Sequence, residues 1–362
     1  MPWGVASTCA NRPASPSPAQ RLREPSPLWL IGRASRALGP PPPSTTAHAA
    51  LCDERVRSEW IGSAGAGGGN DLLDLRVAKR CRVGRGALRV NTLALVNQKG
   101  GCGKTTAAIN LAGALAARGR RVLLVDLDPQ AHATLGLGCA PCDEATLMDV
   151  LLGKASVDEA LFEAPGGIRL LPATADLAEF EDISARLMHA ESALATALGA
   201  MGAEFDEVIL DCPPRVDGIL ARNALRAANT AVLVVETGAF ALQGAVQAIG
   251  VLDDVTDGIG EATFDLKVLG TMFDRRTRFA RELLIALHAR FGPAMFDTVI
   301  RTSVRLREAA AHGAPVQVLD PGCRASGDFA ALAEEWVTHV ESDAHRSAIG
   351  GRLAVSETRL HE

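Results

Sequence analysis

The sequence predicts an α/β fold, a doubly wound, mostly parallel sheet flanked by helices, with a disordered N-terminal extension. Three observations carry this. From Thr92 onward, short apolar runs alternate with stretches at helical spacing, the pattern of βαβ units. The first run, Thr92 to Val96, is apolar on both faces, as a buried central strand of a parallel sheet must be. A glycine-rich turn, Lys99 to Thr106, then separates that run from the first helical stretch.

The elements follow in order. Strands are expected at Thr92 to Val96, Val122 to Asp126, Ile168 to Leu171, Val208 to Asp211, Ala231 to Val235 and Val268 to Phe273. Helices are expected at Thr105 to Arg118, which Gly119 ends, and at Leu177 to Leu198, Gly218 to Ala228, Ala241 to Val255, Arg278 to Phe291 and Ala330 to Val340. No internal repeat is visible. The chemical motifs interleave along the whole body, so residues 91–343 read as one domain, followed by a flexible tail at 344–362.

The chain has 362 residues, 48% hydrophobic and 22% charged, enough apolar material for a sizeable core. Its longest apolar runs, such as Ala231 to Val235, fall far short of the ~20 residues of a spanning helix, which excludes stable membrane insertion. Eight cysteines form no regular framework, so a reducing cytoplasm is expected. The net charge of −5 conceals an asymmetry. Residues 1–90 hold 13 basic and 6 acidic residues, a balance of +7, against 24 basic and 36 acidic, or −12, in the remainder. The first stretch also carries 10 of the 19 prolines and the run Gly65 to Gly69, without sustained apolar periodicity, so disorder is expected there. Its apolar cluster, Leu28 to Ile31, is too short for a secretory signal. Two readings of this stretch stand: upstream sequence translated from a wrongly assigned start, or a basic arm for nucleic acid.

The strongest chemical signal is Lys99-Gly100-Gly101-Cys102-Gly103-Lys104-Thr105-Thr106 between strand and helix. Glycines let successive amide hydrogens face inward, and the helix N-terminus adds partial positive charge, which together make a polyphosphate cradle. Lys104 would contact β- and γ-phosphates while the Thr105 hydroxyl holds Mg²⁺. The general phosphate-loop pattern calls for glycine where Gln98 stands, and the chain adds a second lysine, Lys99. A second signal, Asp126-Leu127-Asp128-Pro129-Gln130, ends the second strand, where ligands of doubly wound sheets sit; the other reading is a pair of strand-end turn residues. The third, Asp211-Cys212-Pro213-Pro214, places an acid at the end of an apolar strand, as a Mg²⁺-linked aspartate requires.

Together these motifs resemble the ParA/MinD family of deviant Walker A ATPases over about residues 92–340, with greatest similarity to the ParA/Soj branch. The similarity also covers Ala133-Thr134, Thr271 to Arg278, Val304 to Ala309 and His312-Gly313. The resemblance implies an ATP- and Mg²⁺-dependent dimer switch. Lys99 would cross the dimer interface to the partner's phosphates, Asp128 would orient the attacking water, and Thr105 and Asp211 would serve the metal. It further implies non-specific DNA binding through Arg276, Arg278 and Arg305, a ParB-like activator, and a cytoplasmic, nucleoid-associated protein that segregates chromosome or plasmid cargo.

The chain departs from the family pattern at His132, Arg215 and Arg301, where asparagine, a small polar residue and proline are usual. Arg275, Arg276, Arg278 and Arg281 form one basic cluster and Arg301, Arg305 and Arg307 another, in an otherwise acidic body. Phosphate neutralisation needs such residues and no base readout; the other reading is helix-face arginines paired with Glu282 and Glu308. Two further functions remain open. A MinD-type membrane-surface ATPase would need a basic amphipathic C-terminal helix, which Gly350-Gly351 and sparse apolar residues disfavour. A metallocluster carrier would rest on Cys139-Ala140-Pro141-Cys142, which supplies two of the four ligands zinc takes.

Overall fold

The computed structural model describes residues 90–140, 144–238, 240–259 and 264–358, with side chains described as far as Ser342 except at 258–259. The expected extension at 1–90, apart from Val90, lies outside these residues, as do Cys142 and 359–362.

Seven strands form one sheet in the order β3-β4-β2-β5-β1-β6-β7. They are β1 (Asn91–Val96), β2 (Val122–Asp126), β3 (Phe162–Ala164), β4 (Ile168–Leu171), β5 (Glu207–Asp211), β6 (Thr230–Glu236) and β7 (Asp265–Thr271). Every pairing is parallel except β3 with β4. The helices are α1 (Lys104–Ala117), α2 (His132–Gly136), α3 (Leu147–Leu151), α4 (Leu177–Ile183), α5 (Ala193–Ala200), α6 (Ile219–Ala227), α7 (Ala241–Ile259), α8 (Arg278–Phe291), α9 (Val304–Ala311), α10 (Val316–Leu319) and α11 (Arg324–Thr358).

Strand periodicity divides the core into layers. On β1, Leu93 and Leu95 pack with α1 and with Phe329, Leu332 and Trp336 of α11. Ala94 and Val96 point the other way, toward Leu147, Phe180, Leu194 and Leu220. On β6, Leu233 and Val235 meet Ala245 and Ile249 of α7 and Leu283 and Leu287 of α8. Because helices cover both faces, the strands lack the apolar-polar alternation of a half-exposed sheet.

Three expectations need correction, and one strand went unread. The helix expected at Leu177 to Leu198 is broken into α4 and α5 by short 3₁₀ turns, with His189 at φ +60° between them. The break is enforced from α6: Asn223 Oδ1 accepts from the Leu194 N–H (3.0 Å), and its Nδ2 donates to the Ala190 carbonyl (2.7 Å). Tertiary bonds thus override a helical period. The short β3 went unread; Gly166 and Gly167, at φ +84° and +77°, turn it back onto β4. The last strand stops at Thr271 because Met272 adopts φ +55°. Finally, the backbone of α11 continues to Thr358, past the boundary at 344 where a tail was expected.

Candidate functional site

The site forms beyond the carboxyl ends of β1, β2, β5 and β6, where the strand order reverses. Gly101 and Gly103 take φ +75° and +93°, which L side chains rarely adopt, and a Cβ added at Gly100 or Gly101 would meet nothing within 4 Å. The loop surface is therefore open backbone. Gly103 caps α1 without a side-chain hydrogen bond, leaving that helix's first amide hydrogens available to an anion. From beneath, the Thr271 hydroxyl donates to the Cys102 carbonyl (2.7 Å) and to the Val235 carbonyl (3.3 Å), tying the loop to β6 and β7. The buried Lys104 folds back so that Nζ lies 3.4 Å from the Lys99 carbonyl.

The two strand-end acids stand side by side. Asp126 and Asp211 are partners in the β2–β5 register, and both are fully buried. Asp126 is satisfied: Oδ2 accepts from the Thr134 hydroxyl (2.7 Å) and amide (2.8 Å), and Oδ1 from the Asp128 amide (3.1 Å). Burial outweighs these bonds and pushes its carboxyl up to about 6. Neither Asp211 oxygen makes a well-formed hydrogen bond. Burial, then the like charge of Asp126, pushes the Asp211 carboxyl well above the usual range, against smaller opposing effects of the Thr105 hydroxyl and Lys104. A buried carboxylate with both oxygens unpaired, next to a hydroxyl and a phosphate-shaped loop, fits a hard divalent cation such as Mg²⁺, which takes one or two carboxylates and completes its shell with phosphate and water.

Asp128 lies at the rim, 9% exposed, its Oδ1 held by the Gln130 amide at 2.9 Å. This turn leaves one carboxylate oxygen without a hydrogen-bond partner among the described residues. Lys99 is exposed and its ammonium is ion-paired to Glu236 at the end of β6. Its amide donates to Asn97 Oδ1 (3.0 Å), while Asn97 Nδ2 donates to the Val234 carbonyl (2.6 Å). Asn97, Glu236 and Thr271 as a loop brace escaped the sequence reading; the signal available was polar residues just past apolar strands, without a diagnostic spacing. His132 is exposed, and Arg215 pairs loosely with Glu181 (3.6 Å) and Asp217 (3.7 Å).

Of the candidate DNA arginines, Arg276 lies in the turn before α8, and Arg278 and Arg305 lie at the starts of α8 and α9. The Phe273 amide bonds the Ile300 carbonyl (3.0 Å) and the Thr302 amide bonds the Phe273 carbonyl (3.2 Å), which joins the segments. Each of the three already holds an acid. Arg276 grips Asp274 through Nε (3.0 Å) and Nη2 (2.9 Å), Arg278 meets Glu282 (2.6 Å), and Arg305 meets Glu308 (2.7 Å) and Asp320 (3.2 Å). Arg301 differs from the reading that grouped it with Arg305 and Arg307. It is half-buried, with Nε 2.9 and 3.0 Å from the two oxygens of the buried Asp328, and so serves packing. Of the cysteine pair, Cys139 is buried in the core.

A strand, a glycine loop and a helix, with a buried acid closing the adjoining strand, define the chain as a P-loop nucleoside-triphosphatase fold. The family model that matches, over residues 90–263, is described as an AAA domain. The chain is 41% identical over 253 residues to the chromosome-partitioning ATPase Soj of Thermus thermophilus, covering 70% of this chain and 98% of that protein. It is 37% identical to the chromosome-partitioning protein ParA of Caulobacter vibrioides, covering 69% and 94%. Among solved structures, cobyrinic acid a,c-diamide synthase from Mycobacterium smegmatis with bound ATP analogue and magnesium matches with a TM-score of 0.60 at 32% identity, covering 70% of this chain and 97% of that one. The chain belongs to the ParA/Soj family of chromosome-partitioning ATPases. Among the described residues, no helix is long and apolar enough to cross a membrane.

Proposed function

We propose that the protein is an ATP-driven dimer switch that binds duplex DNA without sequence preference, segregates a chromosome or plasmid with a ParB-like activator, and resides in the cytoplasm on the nucleoid. The observation that best supports the nucleotide chemistry is the buried, unpartnered Asp211 next to the open glycine loop.

In this reading the backbone of Gly100, Gly101, Cys102 and Gly103 and the first turn of α1, with Thr106, bind the phosphates of ATP. Lys104 supplies the buried charge. Thr105 and Asp211 would hold Mg²⁺, which would supply neutralisation of the charge that develops on the transferred phosphate. Asp126 stays with Thr134 and fixes the turn that aims Asp128. The free oxygen of Asp128 then accepts a hydrogen bond from the attacking water and orients it in line. Lys99 contributes from the opposite protomer, so hydrolysis is slow in the monomer. Arg276, Arg278 and Arg305 contact DNA phosphates, doubled in number when two protomers present one face.

Light scattering with ATP and with ADP, paired with retention on arbitrary duplex DNA, tests this. ATP-specific dimerisation and DNA retention are expected. A protein that hydrolyses ATP as a monomer and ignores DNA would overturn the switch reading while leaving the ATPase intact.

A further inference from the structure

We propose that Glu236 is a positioning residue for Lys99, holding its ammonium within its own protomer until a nucleotide-bound partner takes it over. The proposal rests on the dimer reading above and adds to it the residue that sets how readily the dimer forms.

Lys99 sits on an unusual mount. Its backbone is fixed by Asn97, whose own side chain is bonded to β6, so the root of the lysine does not wander. The Lys99 carbonyl also lies against Lys104 Nζ. Only the side chain is free to choose a partner, and it chooses the last residue of β6. That residue is anchored too: Glu236 faces Thr271 in the β6–β7 register, and the following Thr237 amide bonds the Thr271 carbonyl at 2.9 Å. The acid is less exposed than the lysine, 30% against 63% at the side chain, so the pair is an asymmetric latch with a fixed jaw and a mobile one.

The jaw lies close to the chemistry. Burial pushes up the thiol of Cys102, inside the phosphate loop, against the Lys104 charge and backbone amides, and the Glu236 carboxylate adds a last, small upward push. The lysine cannot serve Glu236 and a partner's phosphates together, so the cis pair and the dimer compete for one ammonium. An exposed ion pair is weak, which keeps the latch reversible, and the expected effect is correspondingly modest.

The test is the dimer dissociation constant of the full chain at saturating non-hydrolysable ATP analogue and Mg²⁺, measured by sedimentation. Saturation removes any change in nucleotide affinity from the readout. Glu236→Gln should tighten the dimer about two- to fivefold at low ionic strength, the range that an exposed pair spans. Glu236→Asp, which keeps the charge, should remain near wild type. Raising salt to about 1 M, where the Debye length is ~3 Å, should bring the Glu236→Gln and wild-type values together. A purely structural role for Glu236 would not follow salt in this way. A Glu236→Gln protein that dimerises as the wild type does, or less well, overturns the latch. A wild type that stays monomeric overturns the dimer reading itself and the latch with it, whereas a dimerising wild type isolates the failure to Glu236.

Discussion

The indole Nε1 of Trp336 donates a 2.9 Å hydrogen bond to Oε2 of Glu207, deep under the sheet end opposite the phosphate loop. Glu207 begins β5 and Asp211 ends it, so one strand carries a structural acid at one end and a functional acid at the other. The other oxygen of Glu207 accepts from Arg120 (2.7 and 3.2 Å) and Asn91 (3.2 Å), which ties α11, the α1–β2 turn and the start of β1 to one carboxylate. Breaking such a buried pair from one side leaves the remaining partners unmet. Glu207→Ala should cost about 3 kcal/mol, which for a body of this size is a fall of roughly 6–12 °C in Tm. Calorimetry checks it, and nucleotide affinity per folded molecule should stay unchanged.

Asp211→Asn should act in the opposite direction on stability. The folded state holds the Asp211 proton to higher pH than the unfolded chain does, because burial and Asp126 oppose its charge. Stability therefore falls as pH rises above the unfolded value of about 4. The amide variant lacks this loss. Without Mg²⁺ or nucleotide it should be more stable than wild type near pH 8, and the gap should close toward pH 4. Urea unfolding at both pH values measures it. The same variant should lose Mg²⁺-dependent turnover.

Much of this site was legible before any coordinates. The both-face apolar run Thr92 to Val96 located β1, other short apolar runs located β2, β5 and β6, and the ordered octet from Lys99 to Thr106 located the loop between β1 and α1. The local chemistry announces itself where spacing and residue type are dictated by a phosphate. Partnerships across the sheet do not. Nothing near Leu177 to Leu198 signals that Asn223, some thirty residues on, will claim two of its backbone groups. Nor does the charge pattern reveal that Arg301 is spent on Asp328 while Arg305 stays at the surface, since both read as arginines in one cluster.

Lys104→Ala should abolish ATP binding, because the buried cation and the cradle it completes are lost together. Lys99→Ala should bind ATP normally and fail to dimerise, since its ammonium lies outside its own phosphate loop on Glu236. Fluorescent-nucleotide titration separates the first from the second, and light scattering with ATP reads the dimer. A Lys99→Ala protein that dimerises as well as wild type would remove the cross-interface role.

Asp128→Ala should bind ATP and trap the dimer. Its carboxylate makes its side-chain bond to the Gln130 amide in the same turn, so removal disturbs water orientation and leaves the phosphate contacts alone. Loss of a positioned polar group of this kind lowers turnover about 10²–10⁴-fold. Phosphate release and scattering in one sample provide the check. Turnover within a few-fold of wild type, with or without an activator, would remove Asp128 from the mechanism.

DNA binding must overcome a body at −12, so the field at long range is repulsive and attraction begins only within a Debye length of ~8–10 Å. The arginines that would supply it are each paired with an acid, and Asp274 is held down to about 2 by the Arg276 guanidinium and amide. In the proposed binding, phosphates would therefore have to replace carboxylates on Arg276 and Arg305 rather than meet bare cations. Exposed pairs are weak, so exchange is feasible. Each monomer gains little from it, but two protomers on one face double the contacts and the counterions released. Binding should thus be ATP-dependent and steeply salt-dependent. Arg276→Glu and Arg305→Glu should each abolish retention on arbitrary duplex DNA at ~50 mM salt, where the phosphate contribution is large, while ATP binding persists. Asp274→Asn should strengthen retention, because it leaves Arg276 without a competitor. An electrophoretic shift series over salt, with ATP and with ADP, decides the matter: DNA retention indifferent to ATP and to all three substitutions would transfer the cargo matrix from DNA to a protein or lipid surface.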